Sequence, residues 1–271
     1  MRLHDYLRRV GVAPGLPPTA DTLRRLHIAH REAFLFDNVA IQTGGTISVA
    51  LDAIERKFID EGSGGYCFEH NTLFAGVLRD LGFDPVTLLG RVRRGPPERW
   101  ARTHMVLKVP ADGEAWLADV GFGGVGLLEP IALRDGTLAE QAGLTYALRR
   151  DGCLWILSMR DPSLIQQSSH DTTLSMTDLY EFSEEPQTAG DVEVANHFTS
   201  THPDSVFRRT LTIQRSARDG RLVLRGDTLT RYTGGRAIDE PVARERVRDV
   251  ARELFGVELP ATPLISESRD V

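Results

Sequence analysis

Gly64-Gly65-Tyr66-Cys67-Phe68-Glu69 opens a run that closes at Gly82, and this run separates a helix-forming part of the chain from a sheet-forming part. Two glycines free the backbone just ahead of Cys67. From Cys67 onward, Phe74, Val77, Leu78 and Leu81 fall on one helical stripe, and Gly82 supplies the stop. A helix N-terminus stabilises negative charge, so a thiol placed there ionises more readily and becomes a better nucleophile. The chain has only two cysteines. The other, Cys153, lies in Asp151-Gly152-Cys153-Leu154-Trp155, which reads as a turn leading into a strand.

On the N-terminal side, Thr22 to Phe36 carries Leu23, Leu26, Ala29 or His30, and Ala33 at helical spacing, after breaks at Pro14, Pro17 and Pro18. A second helix is expected over Val49 to Phe58. Beyond Gly82 the texture turns to short β-like runs: Val86 to Val92, His104 to Val109, Ala115 to Val120, Tyr146 to Arg149 and Leu154 to Met159. The middle third therefore reads as mainly antiparallel sheet. The last third, from Asp191, holds a hairpin of Leu211 to Gln214 and Leu222 to Arg225 turning at Asp219-Gly220. A final helix is expected from Pro241 to Phe255, with Val247, Val250, Ala251 and Leu254 on one face and Gly256 after it. The tail, Ser266 to Val271, is expected to fray. The chain shows neither an internal repeat nor a low-complexity segment. This succession is that of an α+β protein.

At 271 residues the chain buries a sizeable core, as one large domain or two to three small ones. Its 41% hydrophobic and 26% charged residues exclude a disordered or fibrous protein. A net charge of −6 gives no general attraction to nucleic acid or to an anionic membrane. Lys57 and Lys108 are the only lysines, so nearly all positive charge is arginine, spread along the chain as a G+C-rich genome would produce; a phosphate-binding role for the arginines is the alternative that this spread disfavours. The N-terminus has no apolar core of signal-peptide length, and no stretch reaches the roughly 18 to 20 apolar residues of a membrane span. A cytoplasmic location is the expectation. Two separated cysteines argue against a disulfide scaffold and a thiolate zinc site, and no metal is expected.

A nucleophilic cysteine needs a base, and the base needs an orienting group. Histidine suits because its ordinary pKa of roughly 6.5 lies near neutrality. Of the eight histidines, His104 opens the strand Thr103 to Val109, whose alternation puts His104, Val106 and Lys108 on one face. The chain turns through Pro110-Ala111-Asp112-Gly113 and returns as Ala115 to Val120. A two-residue turn at Asp112-Gly113 makes paired numbers sum to 225 and sets His104 diagonal to Asp119 on the same face. A four-residue loop lowers the sum to 223 and sets the two directly opposite; a bulged three-residue loop breaks the match. An aspartate among apolar sheet neighbours is costly without a partner, and His104 supplies one. Cys67 as nucleophile, His104 as base and Asp119 as orienter is the arrangement expected, with backbone N–H groups at the helix start facing a developing oxyanion. Taken singly, each residue has a structural reading: a helix-start cysteine, a satisfied strand histidine and a turn-forming aspartate.

Gly121-Phe122-Gly123-Gly124-Val125-Gly126 satisfies G-x-G-x-x-G after a strand. The dinucleotide fingerprint requires a helix next, and Leu127-Leu128-Glu129-Pro130 does not begin one. A glycine-lined loop beside Asp119 still allows close approach of a ligand to the backbone.

Gly64-Gly65-Tyr66-Cys67-Phe68-Glu69, Thr103-His104-Met105 and Asp119-Val120-Gly121-Phe122-Gly123 together resemble the arylamine N-acetyltransferase family, in its order and near its spacing. Phe36-Asp37-Asn38-Val39 resembles its Phe-Glu-Asn-Leu segment, and Asn196 to Pro203 with Ser205 and Phe207 resembles the start of its third domain. The resemblance implies a helical bundle (1–82) carrying the nucleophile, a central antiparallel β-barrel-like domain (83–190) carrying His104 and Asp119, and a C-terminal α/β lid (191–271), with a papain-like Cys-His-Asp arrangement. It implies ping-pong transfer of an acetyl group from acetyl-CoA through a Cys67 thioester to an arylamine or hydrazine. It places Thr103, Gly121, Gly123 and Gly124 against coenzyme A and Phe36, Phe68 and Phe122 around an aromatic acceptor; plain core packing is the other reading of the three phenylalanines. Ser63 stands where the family usually has arginine, so any ion pair made there is absent or replaced, and Asp37 and Val39 replace the usual Glu and Leu. Some family members are amide synthases that release a polyketide from an acyl carrier protein by macrolactam closure, an alternative with the same chemistry and a larger donor. A cysteine hydrolase and a catalytically idle binding protein are the remaining alternatives.

Overall fold

The computed structural model describes residues 1–160, 176–233 and 236–267. Its first part is helical: α1 (Leu3–Val10), α2 (Ala20–Ala33), α3 (Val39–Gln42), α4 (Leu51–Glu55), which a π turn over Arg56–Asp60 continues, and α5 (Cys67–Asp80). Helix α2 starts two residues ahead of the expected Thr22, because the Thr19 hydroxyl accepts the Thr22 N–H and caps it. It also ends earlier than expected. Phe34 is extended, and the chain enters β1 (Phe36–Asp37). At the start of α5, Glu69 Oε2 accepts the Tyr66 N–H at 3.1 Å, the return half of a capping box. Gly82, at φ +89°, ends the segment as its sequence suggested.

The middle of the chain forms β2 (Val86–Val92), β3 (Arg102–Ala111), β4 (Glu114–Ala118), β5 (Ile131–Ala132), β6 (Thr137–Gln141), β7 (Leu144–Asp151), β8 (Leu154–Arg160) and β9 (Thr177–Ser183). They make one eight-stranded sheet in the order β5-β4-β3-β2-β9-β8-β7-β6, with every ladder antiparallel. Its edge strands β5 and β6 lie against each other, so the sheet almost closes into a barrel. Strand β3 serves two cores through its alternation. Val106 points into the barrel with Leu88, Leu117, Tyr146 and Leu157. Met105, Leu107 and Val109 face the helices and join Phe74 and Leu78.

The hairpin β3–β4 turns through Asp112 and Gly113, both at positive φ (+51° and +78°), the twist that a two-residue connection between strands requires. Leu107 pairs with Ala118 and Ala111 with Glu114, so the first of the two expected registers is the one formed. The ladder stops at Ala118. Asp119 therefore lies just beyond the strand, not within the sheet.

The last part contains α6 (Ala189–Thr201), α7 (Val206–Arg209), β10 (Thr212–Ala217), β11 (Gly220–Arg225), β12 (Thr228–Thr233), β13 (Arg236–Pro241) and α8 (Val247–Val250), which a π turn extends to Phe255. A five-stranded sheet runs β1-β10-β11-β12-β13, so the first part of the chain lends its Phe36–Asp37 strand to the last. The expected hairpin forms, but Ala217 pairs with Gly220 and the turn residues are Arg218 and Asp219. The final helix does not begin at Pro241. That proline closes β13 opposite Thr228, on the sheet's edge where a missing N–H costs little, and the helical segment starts with a 3₁₀ turn at Arg244. Of the tail, residues 268–271 lie outside the described residues. Ser266 is tied down, donating its N–H to Gln42 Oε1 at 3.0 Å, so fraying does not begin there.

Candidate active site

Cys67 is the first residue of α5, and its placement is fixed from both sides by glycines. A Cβ on Gly65 would meet Glu69 Oε2 at 2.5 Å and Phe58 Cζ at 2.9 Å. A Cβ on Gly121 would meet Asn71 Nδ2 at 2.6 Å and Cys67 Cα at 2.7 Å. The glycine pair thus lets the chain pass beneath α5, and Gly121 lets the loop after β4 close over Cys67. The sulfur is buried and lies 3.7 Å from the Thr103 carbonyl oxygen.

His104 Nε2 lies 2.7 Å from Asp119 Oδ2, and both side chains are almost wholly buried. Cys67 acts on the same imidazole, and with Nε2 occupied by the carboxylate, Nδ1 is the ring atom left for the sulfur. Burial opposes the charged ring, but the Asp119 carboxylate overrides it and lifts His104 to about 10. Burial likewise opposes the Asp119 charge, yet His104, the Gly121 N–H and Asn71 hold this carboxyl below its usual range. Asp119 Oδ1 accepts from Gly121 N at 2.9 Å and Asn71 Nδ2 at 3.1 Å, so both oxygens are engaged. A thiol beside a carboxylate-bound imidazole at a helix N-terminus has the parts of a papain-like nucleophile.

Asp119 is buried behind the His104 ring, and Cys67 and His104 open onto a cavity of about 1130 Å³. Cys67, His104, Thr103, Gly121, Gly124, Phe36 and Phe122 line it. Gly123 does not line it; at φ +85° it turns the loop, and Arg31 Nη2 donates to its carbonyl at 2.6 Å. Phe68 is not at the cavity either. It is fully buried in the helical core against Tyr66, because a residue one step past Cys67 on α5 points away from the cavity face. Phe122 and Tyr180 pack on the His104 ring at centroid distances of 5.0 and 4.9 Å. No group of three His, Cys, Asp or Glu among the described residues is arranged to hold a metal ion.

A model of the N-acetyltransferase family matches residues 19–264. The chain belongs to the arylamine N-acetyltransferase family. It is accordingly an acetyltransferase. The arylamine N-acetyltransferase / N-hydroxyarylamine O-acetyltransferase of Salmonella typhimurium is 36% identical over 240 residues, 88% of this chain and 82% of that protein. The arylamine N-acetyltransferase of Mycolicibacterium smegmatis is 36% identical, covering 87% of this chain and 84% of its own. Among solved structures, the M. smegmatis enzyme superposes with a TM-score of 0.87 at 32% identity, over 99% of this chain and 97% of that one. The Mycobacterium marinum enzyme in complex with CoA gives 0.85 at 33% identity, over 94% and 92%.

The acetyltransferase fold here uses supports that the motif reading did not find. His27, from α2, accepts the Asp119 N–H on Nε2 at 3.1 Å and donates from Nδ1 to the Leu128 carbonyl at 2.9 Å. Asn71, one turn after Cys67, donates to Asp119 and to the Met105 carbonyl and accepts the Val120 N–H. Its spacing of four from Cys67 is the one sequence signal that points to it. Buried Arg31 donates to the carbonyls of Val120 and Gly123 and to Ser216 Oγ, bracketing the glycine loop. Burial and the nearby Arg221 lower its guanidinium to about 10.

Ser63 carries no charge, and the cation at this point is Lys57. Its Nζ meets Glu69 Oε1 at 2.7 Å. Lys57 also acts on buried Asp37, whose Oδ1 accepts the Val39 N–H at 3.0 Å. Burial pushes both carboxyls up while Lys57 pulls both down, and for each the net direction is upward. One amine therefore acts on two buried acids, Asp37 and the first-turn Glu69 of the Cys67 helix.

Proposed function

We propose that this acetyltransferase moves an acetyl group from acetyl-CoA to an arylamine or hydrazine nitrogen by a ping-pong reaction through Cys67. The reading rests on the 2.7 Å contact of His104 with buried Asp119, with Cys67 and His104 both lining the cavity. His104 Nδ1 holds the proton that Cys67 has given up, and the thiolate so formed attacks the thioester carbonyl. The carbon–sulfur bond to CoA breaks, and CoA leaves with the proton that His104 returns. The amine then attacks the Cys67 thioester, gives a proton through His104 to the departing sulfur, and leaves as the amide. Asp119 orients the ring, and N–H groups at the start of α5 face the oxyanion. Thr103, Gly121 and Gly124 are assigned to the CoA side, with Gly123 shaping that loop, and Phe36 and Phe122 to the aromatic acceptor. In this scheme residues 1–82 carry the nucleophile, 83–190 the base and its orienter, and 191–271 cover the cleft. No helix among the described residues is long and apolar enough to cross a membrane. A cytoplasmic location, where acetyl-CoA is made and used, suits the reaction.

Intact-mass measurement after brief exposure to acetyl-CoA, without amine, tests the scheme. It predicts a gain of about 42 Da, the mass of an acetyl group, on the peptide holding Cys67. Cys67→Ser abolishes the gain and Cys153→Ser, on an exposed turn, does not. An adduct that survives Cys67→Ser contradicts it.

The cavity of about 1130 Å³ favours one second reading, release and macrolactam closure of a polyketide borne by an acyl carrier protein. It is somewhat larger than the usual small-molecule site of roughly 300 to 1,000 Å³. Acylation by a polyketide thioester mimic and none by acetyl-CoA selects that reading.

A further inference from the structure

The cavity above Cys67 has a basic mouth formed from two sheets. Arg94 and Arg99 come from the connection between β2 and β3, and Arg225 comes from the end of β11, across the opening. All three guanidinium-bearing residues are exposed, so they belong to the rim and not the floor. Arg94 and Arg225 are close enough to oppose each other: partial desolvation and the Arg94 charge both act against the Arg225 cation. Among the described residues, none of Arg94, Arg99 and Arg225 has a carboxylate within ion-pair distance. The neighbouring Arg93 is the contrast. It pairs with Asp178 at 3.3 Å and Glu181 at 3.6 Å and lies over the Trp100 ring, so its charge is already used.

Like charges held face to face without acids are unfavourable, and a polyanion between them reverses the sign. Guanidinium groups fit phosphate oxygens in bidentate geometry. Thr228 and Thr230 share the Arg225 wall, and their hydroxyls donate to Asp227 at 3.5 Å and Asp239 at 2.6 Å, so the guanidinium groups are the donors left for a ligand. We propose that Arg94 and Arg225, with Arg99 beside them, form a subsite for the phosphate groups of the acyl donor, holding them at the mouth while the thioester reaches Cys67. This rests on the acetyl-CoA reading above and names the part of the donor that these residues recognise. A phosphopantetheine arm on a carrier protein presents phosphate as well; the multiple phosphates of CoA match more than one arginine, and CoA is the source proposed.

The test is the preference for acetyl-CoA over S-acetylpantetheine, which has the same thioester arm and no phosphate. Rates of Cys67 acylation with each donor give the two kcat/KM values. The Arg94→Gln/Arg225→Gln enzyme is expected to lose about tenfold of the wild-type preference, mostly in KM, allowing for exposed charges. The preference is also expected to fall with added KCl in the wild type, and less steeply in the variant. A preference that is unchanged in the variant overturns the subsite, as does an equal loss with both donors, which would mark a structural role. A loss seen with an acetylated holo-carrier protein and not with acetyl-CoA overturns it in favour of that donor. Wild-type enzyme that neither small donor acylates at Cys67 refutes the acetyl-CoA reading itself, and the subsite with it.

Discussion

The buried histidines of this fold behave in two opposite ways. His104 meets a carboxylate and is held charged. Elsewhere, Tyr6 OH, His30 and His70 form a chain with contacts of 3.0 and 2.9 Å that ends on the Leu35 carbonyl at 3.0 Å. Because that last acceptor requires an N–H on His70 Nε2, each preceding ring must accept on Nδ1 and donate from Nε2. Desolvation, reinforced by neighbouring cations, lowers His70 to about 3, His27 to about 4, and His30 well below its ordinary value. Burial alone makes a neutral scaffold of a histidine. A buried carboxylate makes a base of it.

The sharpest way to break this contrast is to remove the charged member. His104→Ala is expected to lower Cys67 acylation about 10⁴-fold, and Asp119→Asn about 10³-fold, with the fold retained. Stopped-flow acylation with circular dichroism checks both. An Asp119→Asn enzyme within a few-fold of wild type would show that the ring needs no orienter.

Next in size is Lys57. Lys57→Met leaves Glu69 and Asp37 without their cation and should cost about 2 to 3 kcal/mol of stability in urea unfolding, with partial exposure of the amine keeping the loss below that of a fully buried pair. Lys57→Arg should restore most of it. Equal loss in both variants would mean that shape, not charge, matters at this point.

The smallest effect tests the neutral side. His70→Phe strands the His30 Nε2–H and should cost about 2 kcal/mol at pH 8 while leaving acylation within a few-fold. Its pH dependence has a definite sign. His70 has a lowered value in the fold, so its favourable contribution is complete above the unfolded value of about 6.5 and is lost as pH falls toward about 3. The penalty of His70→Phe should therefore shrink between pH 6.5 and pH 4. His104 is raised, so its contribution is complete below about 6.5 and is lost as pH rises through about 10. The stability difference between wild type and Asp119→Asn should shrink on the alkaline side. Thermal melts of the variants across pH separate the two behaviours, and a common direction would defeat the contrast.

The hairpin from Arg102 to Ala118 was legible because alternation and a Asp-Gly turn constrain register almost by counting. The start of α5 was legible because glycines, cysteine and a capping glutamate fall within the one short run Gly64–Glu69. Pro241 misled because a proline suits a helix start and a sheet edge equally, and only the pairing with Thr228 decides between them. Phe68 misled because its burial against Tyr66 is a matter of which way α5 rotates. His27, Arg31 and Lys57 reach the site from distant segments, and local pattern carries no trace of such contacts. What separates His104 from His30 and His70 is likewise tertiary: all are buried, and only one has a carboxylate.

Nitrogen NMR of histidine-labelled enzyme tests the central claim most directly, since it reads the charge of each ring. The account predicts His104 with both nitrogens protonated at pH 8 in the wild type, while His27, His30 and His70 remain neutral at that pH with the tautomers given above. A neutral His104 at pH 8, or one whose charge is unaltered in Asp119→Asn, would contradict it.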